Sequence, residues 1–178
     1  MFERKILVVV DYQNDFVKGP LKAPGAAALE GPLCRRIEKA YADGDKVIFL
    51  KDTHPKSYLL TQEGRRLPVE HCIVESEGHE LYGKVKELEN KHGASSLEKL
   101  QFGSLDIPRL LHNEQIKPTE FCVCGLVTEM CVISNALILK AQFREVPVKL
   151  EGKLCAGVTK EGHEAALLVA KSCQVDVI

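Results

Sequence analysis

Apolar and polar positions follow two patterns along this chain. Short unbroken apolar runs rich in β-branched residues stand at Lys5–Val10, Lys46–Leu50 (KVIFL) and Phe121–Cys124 (FCVC). Such runs suit strands buried on both faces. Elsewhere the apolar residues recur every three or four positions. Residues 25–43 carry Ala28, Leu29, Leu33, Ile37, Ala40 and Tyr41 at helical spacing, with Gly44 as a stop. The same period predicts helices at 79–91, Ile107–His112, 129–143 and 159–173, with Pro108 near the start of the second. Shorter strands are expected at 94–97, Val146–Leu150 and Val175–Ile178. Residues 52–78 show no period and contain Pro55, Gly64, Pro68 and Gly78. A loop this long inside a compact domain is usually functional.

Strands separated by helices imply right-handed parallel crossovers and a sheet covered on both faces. The pattern therefore predicts a single-domain three-layer α/β/α sandwich with a mostly parallel sheet, spanning 1–178. The 178-residue length fits one domain and allows about 70% of the unfolded surface to be buried, so folding needs no metal or disulfide. Basic residues number 24 and acidic residues 25, with no basic patch, so nucleic acid is not an expected partner. No apolar run approaches the ~20 residues of a membrane span, so no membrane partner is expected either. The run Ile6–Val10 is shorter than the about 7–15 apolar residues of a secretion signal. Seven cysteines, an odd number mostly in apolar segments, then read as reduced thiols in a cytoplasmic protein.

In such sheets ligands bind beyond the carboxyl ends of the strands. Asp11, in DYQNDF, follows the first strand. Asp52 and His54, in DTH, follow the second. GLVTEMC follows Phe121–Cys124 and ends in Cys131, at the opening of a helix with Thr128 as its expected N-cap. A helix N-terminus favours a thiolate and can hold an oxyanion. Cys131 is thus a candidate nucleophile, against the plainer reading of a buried structural thiol like Cys122 and Cys124. Asp11 alone reads as a loop cap; beside a cysteine it becomes a candidate base. Asn14 and Asp15 read as turn formers. Lys99, in SSLEKLQFGS, is ordinary by spacing but could favour a thiolate. Asp52, His54, Glu63 and His71 form a mixed oxygen and nitrogen set suited to Zn²⁺, Mn²⁺ or Fe²⁺, without a zinc-finger spacing. His79, His92 and His112 sit among polar residues and are expected at the surface. His163 lies near the start of the last helix.

DYQNDF, DTH, EKLQFGS, GLVTEMCVISNA and CAGVTKEGHEAAL together resemble the isochorismatase-like cysteine hydrolases, and among them the nicotinamidases and pyrazinamidases. The likeness runs essentially end to end. It implies a triad of Asp11, Lys99 and Cys131, and an oxyanion hole from the N–H groups of Val127 and Cys131 with a cis peptide before Val127. It implies one divalent metal ion, zinc first and manganese or iron next, on Asp52, His54, Glu63 and His71. Glu63 stands where some relatives carry His. Phe16, Leu67 and Phe102 match positions lining an aromatic-ring pocket. The implied activity is hydrolysis of a small-molecule amide, foremost nicotinamide, by a homo-oligomeric enzyme. The alternatives are a carbamoyl or ureido C–N hydrolase, for which the metal set is unusual, and a catalytically idle member, against which the complete triad speaks.

Overall fold

A computed structural model describes all 178 residues. Six strands form one parallel sheet in the order β3-β2-β1-β4-β5-β6. In chain order these are β1 (Phe2–Val10), β2 (Lys46–Asp52), β3 (Ser95–Lys99), β4 (Ile116–Leu126), β5 (Val148–Ala156) and β6 (Asp176–Val177). The helices are α1 (Asn14–Val17), α2 (Glu30–Ala42), α3 (Gln62–Arg66), α4 (Gly83–His92), α5 (Ile107–Asn113), α6 (Ile133–Gln142) and α7 (Lys160–Ser172). The chain winds from β1 outward to β3, then returns to β4 on the other side of β1. Right-handed crossovers therefore put α2 and α4 on one face and α5, α6 and α7 on the other. α2 packs on α4 and α6 on α7, completing the three layers.

The central strands are where sequence and burial agree most closely. Ile6 through Val10 are all buried, as are Val47 to Leu50 and Phe121 to Cys124. Each large apolar side chain there contributes about 1.5–3 kcal/mol by burial, so packing anchors the strand ends. Both edge strands are weaker. β3 reads SSLEK with one buried residue, Lys99, and β6 has two residues. α2 stops where expected: Gly44 takes φ 78°, and the N–H of Asp45 turns back to the carbonyl of Ala40. β4 starts five residues earlier than the apolar run, because Ile116 to Glu120 pair with the exposed start of β1.

The sheet order reverses between β1 and β4. Chains leave these two neighbouring strands in opposite directions, which opens a crevice at their carboxyl ends. The long segment after β2 folds over it. His54 and Ile73 form an isolated parallel bridge, with His54 N–H donating to Cys72 and Val74 N–H to His54. That bridge returns the far end of the loop to the end of β2. No helix is long and apolar enough to cross a membrane.

Candidate active site

Three strand ends converge on the crevice. Asp11 comes directly after β1, with its N–H bonded to Leu50 of β2 and a left-handed φ of 48°. Aspartate tolerates that conformation better than most residues. Lys99 is the last residue of β3 and the register partner of Asp52 on β2. Cys131 sits in a single π-helical turn, Thr128–Val132, between β4 and α6. Such turns recur at functional sites. Lys99 Nζ lies 2.7 Å from Asp11 Oδ2, 3.0 Å from Asp52 Oδ1 and 3.4 Å from Cys131 Sγ. Asp11 and Lys99 are completely enclosed, and the lysine contact is an ion pair rather than an aligned hydrogen bond. Asp11 Oδ1 has no partner in the protein.

Burial sets the protonation of this group. It pushes the Asp11 carboxyl up to about 6 against the opposing pull of the Lys99 ammonium. Burial would drive Lys99 down, but Asp11 and its neighbours reverse this and hold it charged. The Cys131 thiol is pushed well above its ordinary value by burial first and by Asp11 second. The sequence predicted the opposite, a thiol lowered by a helix N-terminus. Enclosure and the adjacent carboxylate act against the thiolate, and Lys99 acts for it.

The turn that carries Cys131 is braced from α7. Thr128 is not the N-cap: Val127 occupies that position, and the Thr128 hydroxyl bonds His163 Nδ1 at 2.8 Å. Next to it, Glu129 Oε1 accepts the N–H of Val158 at 2.7 Å, ahead of α7. The N–H of Val127 donates to no protein acceptor and lines the same cavity as Cys131. The peptide before Val127 is trans, as is every peptide in the chain, which corrects the expected cis bond. A non-proline cis bond costs about 3–4 kcal/mol, and the trans backbone already leaves this donor free. Gly125, at φ 118°, lies against Val10 of β1 so closely that a Cβ would run into the Val10 carbonyl.

Beside the thiol stands a second group. Ligand atoms of Asp52, His54 and His71 lie within 4.8 Å of one another, and all three residues are buried. Asp52 Oδ2 is 3.0 Å from His54 Nε2 and 3.5 Å from His71 Nε2. His71 Nδ1 donates to the Val69 carbonyl, which leaves Nε2 as the free electron pair. Glu63 Oε1 stands 3.8 and 3.9 Å from the two Nε2 atoms, just outside the tight three. Ligands on a tetrahedral ion at about 2.0–2.1 Å stand about 3.3 Å apart, so this set matches a divalent metal. Charge argues the same way: Asp11 and Asp52 share the single ammonium of Lys99, and Glu63 adds a further carboxylate against the two histidines.

A cavity of about 340 Å³ joins the two groups. Phe16, Leu67 and Phe102 line it, together with Leu21, Met130 and Val158. The last three were not expected: Leu21 and Val158 come from loops, and Met130 from the π-helical turn beside Cys131. Phe16 meets the His71 ring edge-on at 5.6 Å between centroids. His79 corrects another expectation: it is buried, with its Nε2 2.8 Å from the Thr53 hydroxyl. Asn14 and Asp15 open α1 instead of a plain turn, and both reach across to the loop after β2.

Relatives share this frame. The nicotinamidase of Schizosaccharomyces pombe is 25% identical, over 97% of this chain and 91% of its own. A solved nicotinamidase PncA from Bacillus subtilis is 30% identical, with TM-score 0.84 and 98% of each chain covered. A pyrazinamidase of Pyrococcus horikoshii, solved in complex with zinc, shares the fold at 24% identity and TM-score 0.82 over 98% of each chain. The isochorismatase domain pattern itself matches residues 5–178, from the first buried strand to the last residue, so the chain belongs to the isochorismatase family.

Proposed function

We propose that this protein is a metal-dependent cysteine amidohydrolase that converts nicotinamide and water to nicotinate and ammonia. One observation carries the reading: a single amine, Lys99 Nζ, touches Asp11, Cys131 and Asp52, so a thiol with its base adjoins a metal-binding group across one apolar cavity. Relatives that bear the name nicotinamidase support the substrate.

In this reading Asp11 takes the proton of Cys131 as the thiolate attacks the amide carbonyl. The N–H groups of Val127 and Cys131 receive the oxyanion, a contribution worth about 100- to 1000-fold per donor in such sites. Asp11 passes the proton to the departing ammonia, leaving a thioester on Cys131. Asp11, again a carboxylate, takes a proton from the water that cleaves the thioester. Phe16, Leu67 and Phe102 hold the ring and exclude water. Asp52, His54 and His71, with Glu63, would hold a divalent ion, for which zinc suits the ligand set and Mn²⁺ or Fe²⁺ shares it. Bound, the ion supplies a Lewis acid for a ring nitrogen. Oligomerisation and a cytoplasmic location belong to the same reading.

The test is ammonia release from nicotinamide with and without chelator, beside Cys131→Ala. Loss in both arms is the expected result. Activity that survives chelation removes the metal from substrate binding. No release by the metal-loaded enzyme overturns the nicotinamide assignment and redirects it to carbamoyl and ureido amides.

A further inference from the structure

We infer that Asp15 is a positioning residue for the metal group, setting the place of His71 through the backbone of Cys72. The inference rests on the metal reading above. DYQNDF supplies Asp11 to the thiol, yet Gln13, Asn14 and Asp15 all turn toward the end of β2 and the segment after it. Asp15 Oδ2 accepts the N–H of Cys72 at 2.7 Å. Cys72 follows His71 and holds a left-handed φ of 45°, a strained conformation for this residue type. A charge-assisted hydrogen bond to its N–H is what keeps that turn in place. Room is reserved for the carboxylate: a Cβ on Gly19 or on Gly78 would run into it.

The neighbours of Asp15 act on the same loop. Gln13 is fully buried; its Oε1 accepts the Asp52 N–H at 2.8 Å, and its Nε2 donates to the Asp52 carbonyl at 2.9 Å and the His79 carbonyl at 2.8 Å. Asn14 Nδ2 donates to the Glu77 carbonyl at 2.7 Å. Phe16 packs its ring on His71. Residues 13–16 thus grip both ends of the metal loop, at Asp52 and at Cys72. None of these four side chains hydrogen-bonds or pairs with Lys99 or Cys131.

The experiment titrates Zn²⁺ into metal-free wild type, Asp15→Ala and Asp15→Asn, and follows alkylation of Cys131 in the metal-free proteins. Asn keeps an acceptor oxygen in place, whereas Ala removes it. Asp15→Ala should weaken Zn²⁺ binding about 10- to 100-fold. Asp15→Asn should stay close to wild type, and the alkylation rate should not change. Should Asp15→Ala fail to fold, Asp15→Ser, whose hydroxyl is too short to reach Cys72, takes its place. A folded Ala or Ser variant that binds Zn²⁺ like wild type overturns the inference. So does an alkylation rate that shifts in step with affinity, which marks general loosening. A wild type that binds no divalent ion sinks the metal reading itself, and the two failures are therefore distinct.

Discussion

Lys99 and Asp52 are register partners on adjacent parallel strands, and Lys99 Nζ stands 3.0 Å from Asp52 Oδ1. Partners in register project from the same face of the sheet, so the backbone alone brings this amine to this carboxylate. The same amine pairs with Asp11 and reaches Cys131. The lysine therefore joins the thiol group to the metal group, and a change in the charge of one is felt by the other. Burial leaves little solvent to screen that coupling.

Replacing Lys99 by Met tests this bridge. The variant leaves Asp11 and Asp52 buried without their common cation. Loss of one partner from a buried ion pair costs about 3–5 kcal/mol, which urea unfolding of the metal-free protein should register. Turnover should fall by about 10²- to 10⁴-fold. Wild-type stability in Lys99→Met would show that the amine is not compensating these carboxylates.

The pH dependence arises from Asp11. Its carboxyl is raised to about 6, and it must be ionised to take the thiol proton. kcat/KM should therefore rise with pH through about 6 and be low below it. The stability effect has the opposite sign. A carboxyl raised on folding stabilises most below its ordinary range, and that contribution is lost as pH rises through about 6. A kcat/KM profile flat from pH 4.5 to 7.5 would remove Asp11 as the base.

Glu63 separates a three-ligand from a four-ligand metal group. Its carboxylate lies farther from the two histidines than Asp52 does and is partly open to solvent. His71→Ala should abolish the rise in melting temperature that Zn²⁺ produces in the wild type, because binding to the folded state alone is what raises it. Glu63→Gln should only weaken affinity, about 10- to 100-fold. Unchanged affinity in Glu63→Gln would leave Asp52, His54 and His71 as the complete set.

The buried strands, and the residues just past their carboxyl ends, were legible in the sequence. Asp11, Asp52, His54 and Cys131 could be found because continuous apolar runs mark strand ends, and strand ends mark the crevice. Lys99 could not be found that way. Its strand, SSLEK, is a half-exposed edge with no apolar run, so only the family likeness singled it out. Glu63, in the short helix α3, and His71 lie in a segment without apolar period, which the His54–Ile73 bridge ties back to the end of β2. The histidine pattern misled at His79, where polar neighbours in sequence hide a buried contact with Thr53. Thr128 misled because the turn after β4 is π-helical and moves the cap to Val127.

Gly125 sets how closely β4 can approach β1 two residues before the Val127 donor. Its φ of 118° is open to glycine and to almost no other residue, and a Cβ would run into Val10. Gly125→Ala should therefore destabilise by more than about 4 kcal/mol, at the extreme of single substitutions. Thermal unfolding measures it; a loss under about 1 kcal/mol would mean that β1 and β4 can separate without penalty.

Asp11→Asn should drive two properties of Cys131 in opposite directions. Burial first, then the Asp11 carboxylate, holds the thiol above its ordinary value, while Lys99 pulls it down. Removing the Asp11 charge leaves the ammonium, 3.4 Å from Sγ, opposed by Asp52 alone. The thiolate population should rise, and iodoacetamide should alkylate Cys131 faster than in the wild type at pH 7. Amide hydrolysis should nonetheless fall by about 10²- to 10⁴-fold, because Asn can neither accept the thiol proton nor return it to ammonia. A merely electrostatic role for Asp11 predicts that both rates rise together, and a structural role that both fall. Only a proton carrier separates them, so measuring the two rates on one protein preparation decides among the three.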